Sequence, residues 1–343
     1  MSSQQLCVIT NVDSLVGYAL AFYFLKEQQH GSLRLLCRNK EGLEELAKMG
    51  GEIRQVDYNR EDQVRDCFKN VKAGILIPEH DSHRIQQAEN VMKAAKNENV
   101  HHLCMMSLVG VDHVDQNESE KFKNLLQYRH LEQKIKEIMG NQEQWSIVRL
   151  SAPNQLFYLM APLLESHRVL RLPIKKDQKW SPVDLNDVVE AIFKLAKENQ
   201  QQGLFYGRNR KELYQFTPRQ VLSMEELVRQ ISQGLVHEAE EIKYEQVGRD
   251  EIRKYLEQMR NDKRFKERPK SDHTIGRQDK PYTFPLGRYM NDDCIETLLE
   301  IWELANQGRM DIHTDDLKQI LGRDPQDIRS YFEQNRGNFD SLR

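Results

Sequence analysis

Short apolar runs recur through the first half of the chain, each followed by a stretch whose apolar residues return every three to four positions. Residues 6–10 (LCVIT), 33–38 (LRLLCR), 52–58 (EIRQVDY), 73–78 (AGILIP), 101–108 (HHLCMMSL) and 145–151 (WSIVRLS) predict strands. Residues 15–25, 40–49, 60–70, 82–97 and 120–140 predict the intervening helices. Over 82–97 the apolar stripe is Ile85, Ala88, Val91, Met92 and Ala95. Such alternation implies right-handed βαβ units and a parallel sheet of at least six strands.

The pattern then changes. Residues 153–165 (PNQLFYLMAPLLE) predict an apolar helix, on which Asn154, Phe157 and Tyr158 line a cleft or, more simply, form core. Residues 183–194 and 223–232 predict amphipathic helices, and 242–247 (IKYEQV) a short strand. The stretch 260–280 is polar and rich in basic residues mixed with Asp and Glu. It is expected to be a solvated linker or an arm that docks an acidic partner or nucleic acid. A helix over 291–305 carries Ile295, Leu298, Leu299, Trp302 and Leu304, and shorter helices follow over 315–321 and 327–335. The expected organisation is an α/β Rossmann-type doubly wound sheet over 1–152 and a smaller α+β substrate-domain-like region over 153–259. A basic arm or loop over 260–287 and a C-terminal helical segment over 288–343 complete it.

Composition narrows this modestly. The 343 residues suit two domains or one large domain with an appendage. A formal net charge of −3 argues against global attraction to nucleic acid or membranes. The five cysteines are widely spaced, with no CxxC pair, which fits buried thiols in a reducing compartment. The N-terminus lacks a signal pattern, and no apolar run reaches membrane-spanning length. The chain is expected to be cytoplasmic, with nuclear entry open. The histidines lack metal-ligand spacing, so no metal is expected.

The first strand-turn-helix carries the most chemistry. A dinucleotide-binding turn in TGxxGxxG spacing wants glycine at the positions of Asn11, Ser14 and Gly17, and follows a threonine, here Thr10. The first glycine permits the tight turn, the second lets backbone approach pyrophosphate, and the third lets helix pack on strand. Only Gly17 remains. Asp13 adds negative charge where phosphate would sit. Asp13 or Ser14 is expected to cap the following helix. The strand over 33–38 ends in Arg38, and the strand over 52–58 contains Asp57 near its end.

In text as well as topology the chain resembles the NmrA-like family of atypical short-chain dehydrogenases/reductases. The stretches carrying the resemblance are 57–62 (DYNRED), 87–96 (QAENVMKAAK), 107–112 (SLVGVD), 148–150 (VRL), 180–188 (WSPVDLNDV), 223–227 (SMEEL) and 321–325 (LGRDP). The resemblance implies NADP as cofactor, held by Thr10, Asn11, Ser14, Gly17, Arg38 facing the 2′-phosphate and Asp57 on the adenine side. In catalytic members a Tyr-x-x-x-Lys pair, usually with a serine, moves the proton. Here Tyr128 is followed four residues on by Glu132, and Ser107 stands where the serine would. Ser107 is expected to satisfy local backbone. Lys134, the nearest lysine candidate, and Lys136 are expected to be solvated helix charges. With no catalytic pair, the resemblance implies a pseudoenzyme: a regulator, redox sensor or structural protein working through a protein partner or self-association. Its dinucleotide binding would be weak or lost, and no cofactor would be required. The alternative it implies is an NADP-dependent reductase of a quinone, carbonyl or phenolic substrate.

Overall fold

A computed structural model describes residues 6–27, 32–197, 211–235, 241–266 and 285–342. From the N-terminus, strands and helices alternate: β1 (Leu6–Ile9), α1 (Leu15–Glu27), β2 (Ser32–Cys37), α2 (Glu44–Lys48), β3 (Glu52–Gln55), α3 (Glu61–Cys67), β4 (Val71–Leu76) and α4 (Arg84–Asn97). Then come β5 (His102–Leu108), α5 (Lys123–Met139), β6 (Trp145–Leu150), α6 (Ala161–Ser166), β7 (Val169–Leu172), α7 (Leu185–Lys197) and β8 (Leu213–Phe216). The chain closes with α8 (Met224–Leu235), β9 (Lys243–Gln246), α9 (Arg249–Asn261), α10 (Lys263–Lys266), α11 (Asp292–Asn306), α12 (Asp316–Leu321), α13 (Ile328–Gln334) and α14 (Arg336–Asp340).

Seven strands form one sheet in the order β3-β2-β1-β4-β5-β6-β8. The pairings from β3 through β6 are all parallel. The order reverses at β1, so β2 and β4 flank it and their chain continues in opposite directions away from it. That is the doubly wound arrangement, whose ligand crevice lies beyond the strands' carboxyl ends at the switch point. Strands buried on both faces need continuous apolar runs. Val8, Leu36, Leu76, Leu103 and Ile147 meet this need in the core.

Two compact units emerge. The first holds 1–111, 126–150 and 189–215; the second holds 112–125, 151–188 and 216–343. Residues 288–343, expected as a separate helical segment, fall in the second unit with most of 153–259. The reason is their apolar face: Ile295, Leu298, Leu299, Trp302 and Leu304 of α11 are buried. Trp302 meets Trp180 edge-on at 6.1 Å, and Phe332 of α13 packs on Phe157 at 5.4 Å. Asn154, Phe157 and Tyr158 are all buried; Tyr158 stacks on Phe339 and its hydroxyl accepts from Asn338 Nδ2 at 3.0 Å.

Three expectations change. The apolar helix over 153–165 is instead a 3₁₀ segment (Asn154–Met160) followed by α6. Pro162, in the first turn of α6, has no N–H to extend a preceding α-helix. The basic arm begins as structure: Arg260 lies in α9, and Phe265 of α10 is fully buried. The rest of the arm, 267–284, lies outside the described residues. Third, an unpredicted strand, β7, pairs in parallel with the predicted β9 in a separate two-stranded sheet.

Candidate functional site

The turn after β1 keeps a tight geometry with asparagine in place of glycine. Asn11 sits at φ +52°, a left-handed conformation that asparagine tolerates better than other non-glycine residues. Its N–H donates to the Tyr58 hydroxyl at 2.8 Å, and its side-chain Nδ2 to Pro78 O at 3.3 Å. Thr10 Oγ1 donates to Ile77 O at 3.2 Å and accepts from Ile77 N at 2.9 Å, tying β1 to the end of β4. Ser14 is the N-cap of α1: its Oγ donates to Asn11 O at 2.7 Å and accepts from Gly17 N at 3.1 Å. Gly17 is required by packing. A Cβ there would lie 2.8 Å from the Asn11 carbonyl carbon and 2.9 Å from Val12 Cα, with Asn11 O closer still.

Asp13 does not cap α1. Its carboxylate accepts from the backbone N–H groups of Arg38 at 3.1 Å and Asn39 at 2.9 Å, bridging the turn to the end of β2. Burial nevertheless pushes the Asp13 carboxyl above its usual pKa, against the lowering by those amides and by Arg38. The Arg38 side chain, 40% exposed, is held by two acidic partners. Its Nε pairs with Glu79 Oε2 and its Nη1 with Asp81 Oδ2, both at 3.0 Å. Glu79, only 4% exposed just after β4, has its pKa pushed up to about 8, chiefly by burial. The neighbouring carboxylates Asp13 and Asp81 also raise it, while Arg38 and Arg84 oppose the rise. His80 beside it is pushed down to about 3 by burial and then by Arg84 and Arg38, so it is neutral. Asp57, exposed after β3, closes a local turn by accepting from Asn59 N and Nδ2.

At the ends of β5 and β6 the structure builds an ion pair. Glu132 of α5 receives Arg149 Nε on Oε1 and Nη2 on Oε2, both at 2.8 Å, a bidentate fork with both side chains buried. Ser107 Oγ donates to the same Glu132 Oε1 at 2.7 Å. This corrects the expectation that Ser107 satisfies local backbone. Arg149 also reaches Gln215 Oε1 on β8 at 3.3 Å. Tyr128 is buried one turn before Glu132, with the Arg84 guanidinium 4.8 Å above its ring. Lys134 is a surface charge paired with Glu137 at 2.8 Å, and Lys136 lies over Trp145 at 5.5 Å.

Thr10, Asn11, Ser14 and Gly17 thus share one turn, with the Arg38 backbone joined to it through Asp13; Asp57 stands apart. These residues do not fit a dinucleotide well. Anion-binding turns work through open amides and a positive field. Here the Asn11 amide is taken by Tyr58, the N3 amide of α1 by Ser14, and the amides after β2 by an acidic side chain. Arg38, the group expected to meet a 2′-phosphate, is held between two carboxylates. Tyr58, Glu79 and Arg149 had no assigned role from sequence. The signals were there: a carboxylate directly after an apolar strand (Glu79), and an arginine inside the otherwise apolar run 145–150 (Arg149). Among the described residues no cluster of His, Cys, Asp or Glu could hold a metal, and no helix is long and apolar enough to cross a membrane.

A seven-stranded doubly wound sheet with a glycine-helix start after β1 defines a Rossmann-type nucleotide-binding class. Residues 16–155 match the family model described as NAD(P)H-binding. No curated protein sequence matches the chain. Among solved structures, the fold is similar to the NADP(H) complex of a Citrobacter sp. triphenylmethane reductase, at 15% identity and TM-score 0.71, covering 96% of this chain and 99% of that one. It is similar to an NADPH complex of an Escherichia coli NADPH-dependent quinone oxidoreductase, at 14% identity and TM-score 0.70, covering 95% and 98%. It is also similar to NmrA, a negative transcriptional regulator solved with NADP, at 13% identity and TM-score 0.67, covering 97% and 95%. The chain thus carries an NAD(P)H-binding segment over residues 16–155, on a fold similar to that of NmrA.

Proposed function

We propose that this chain is a non-catalytic NmrA-like protein that works through protein contacts, as a regulator, redox sensor or structural component, with weakened or lost dinucleotide binding. The observation that carries this reading is the Ser107–Glu132–Arg149 arrangement. A proton relay of the short-chain dehydrogenase type needs a cation to favour the ionised phenol. Here a carboxylate occupies that position, and both of its oxygens are committed to a buried guanidinium. A buried ion pair of this kind resists rearrangement, since freeing either member leaves an uncompensated charge. The filled phosphate turn is consistent with the same reading. The likeness to NmrA, named as a negative transcriptional regulator, supports a role without turnover. The two reductases of the same fold support the alternative, NADP-dependent reduction of a quinone, carbonyl or phenolic substrate.

The deciding experiment measures NADPH oxidation by the full chain against a panel of quinones and carbonyl compounds. The expected result is no turnover above background. Steady oxidation that disappears on Lys134→Ala would establish the reductase alternative. A bound cofactor without turnover would leave the non-catalytic reading standing, in its sensor form.

A further inference from the structure

The second unit holds an open cleft of about 340 Å³ that lies outside everything described so far. That is at the low end of the ~300–1,000 Å³ typical of ligand clefts. Its walls are the loop between β8 and α8, one face of α8, and the start of α13. Those walls are closely packed and hydrogen-bonded. Gly234 lets α8 and α13 approach so closely that a Cβ there would lie 2.6 Å from Arg329 O, and Arg336 Nη2 donates to Gly234 O at 2.7 Å. Asp327 caps α13 by accepting from Ser330 N at 2.9 Å.

The lining has an unusual chemistry. Leu222 and Ile328, both buried, contribute apolar surface. Around them stand the carboxamides of Gln220, Gln230, Gln233 and Gln326, the guanidiniums of Arg219 and Arg329, and the Asp327 carboxylate, which is taken up by Ser330 N and Oγ. Among the described residues the side chains of Gln220, Gln230, Gln233 and Arg329 make no hydrogen bond or ion pair. Arg219 has one long contact, 3.8 Å to Asp324, and that carboxylate also takes Lys318 at 2.8 Å. Each carboxamide offers two donors and one acceptor, the functions that meet a peptide backbone's C=O and N–H. The uncommitted arginine offers a fork that matches a carboxylate. Among the described residues no aromatic side chain lines the cleft, which argues against a nucleic-acid strand, whose bases call for stacking platforms.

We infer that this cleft docks an extended acidic peptide segment of a protein partner, its backbone read by the glutamines and its carboxylate by Arg329. The inference deepens the contact-based function proposed above and rests on it. In the test, the full chain is used to select binders from a random dodecapeptide display library. Labelled winners are then titrated against the wild type, Arg329→Glu and the double variant Gln230→Ala/Gln233→Ala, with thermal melts to verify folding. The expected result is enrichment of Asp- and Glu-containing peptides whose affinity falls at least tenfold in both variants. Winners without acidic enrichment, or winners that bind both variants within twofold of wild type, would overturn the inference. So would binding of a polyadenylate oligonucleotide that matches the peptides in strength and is lost with Arg329→Glu. The NADPH oxidation assay is run on the same wild-type preparation. Turnover with peptide binding intact would defeat the non-catalytic reading alone, and no turnover with no acidic binders would defeat the cleft alone.

Discussion

The turn after β1 and the buried cluster at the ends of β5 and β6 both depart from the pattern of a working oxidoreductase, but in physically different ways. In the turn, each missing glycine is replaced by a residue that preserves the backbone path. Asn11 tolerates the left-handed conformation, Ser14 caps the helix, and Asp13 bridges to β2. The scaffold is intact, and the amides a ligand would use are satisfied from within. In the cluster, the change inverts the charge. A carboxylate stands where the resemblance calls for lysine, and β6 supplies the arginine that makes its burial tolerable. The first departure rests on buried Asn11 and half-buried Asp13 and Ser14 in a surface turn. The second is built into the core. Ligand binding should therefore be far easier to restore than chemistry.

The largest effect should come from breaking the buried pair. Arg149→Met leaves Glu132 buried without its partner and should cost about 3–5 kcal/mol, read by urea unfolding. Glu132→Leu with Arg149→Met should recover most of that loss. A double variant no more stable than the single ones would show that the pair's geometry, and not its charge, matters. Next, Gly17→Ala should cost about 1–3 kcal/mol, because the added methyl meets the backbone of Asn11 and Val12. A melting temperature within a degree of wild type would mean that the turn adjusts freely.

The ligand side of the comparison is sharpened by restoring the turn. Wild type should bind NADPH more weakly than low micromolar by calorimetry. Asn11→Gly/Asp13→Asn/Ser14→Gly should tighten binding at least tenfold, about 1.4 kcal/mol. Low-micromolar binding by the unaltered chain would remove the steric and electrostatic argument. The pH dependence of stability tests Glu79. Its folded pKa of about 8 exceeds the ordinary carboxyl value of 4.5. Between those values the unfolded state sheds a proton that the folded state keeps, so stability falls as pH rises through that window and levels off above it. Glu79→Gln should remove this slope. Parallel slopes for the two proteins by thermal melts would place the proton elsewhere.

Periodicity and flanking turn residues made most of unit one legible. The bounds of β1, β2, β4, β5 and β6 agree with their predicted runs within two residues, and β3 ends three residues early, since buried parallel strands are continuous apolar stretches and their helices carry a 3.6-residue repeat. β7 and β8 were not predicted, and length alone does not explain it, since β1, β3 and β9 are also four residues long. The 3₁₀ segment over Asn154–Met160 escaped because its composition is that of a buried helix, and Pro162 alone marked the break.

At the site, the sequence by itself determined which residue types occupy the expected positions: Asn11 and Ser14 in place of glycine, Glu132 in place of lysine. It also determined that an arginine sits within the apolar run of β6. Only the tertiary structure decided what these residues do, because each role depends on a partner brought from another element. Tyr58 from the end of β3 takes the Asn11 amide. Glu79 and Asp81 after β4 turn Arg38 away from the role its position suggested. Arg149 on β6 reaches Glu132 on α5, 17 residues apart along the chain. Desolvation and charge pairing depend on distances in space, and those distances exist only once the parallel sheet has assembled.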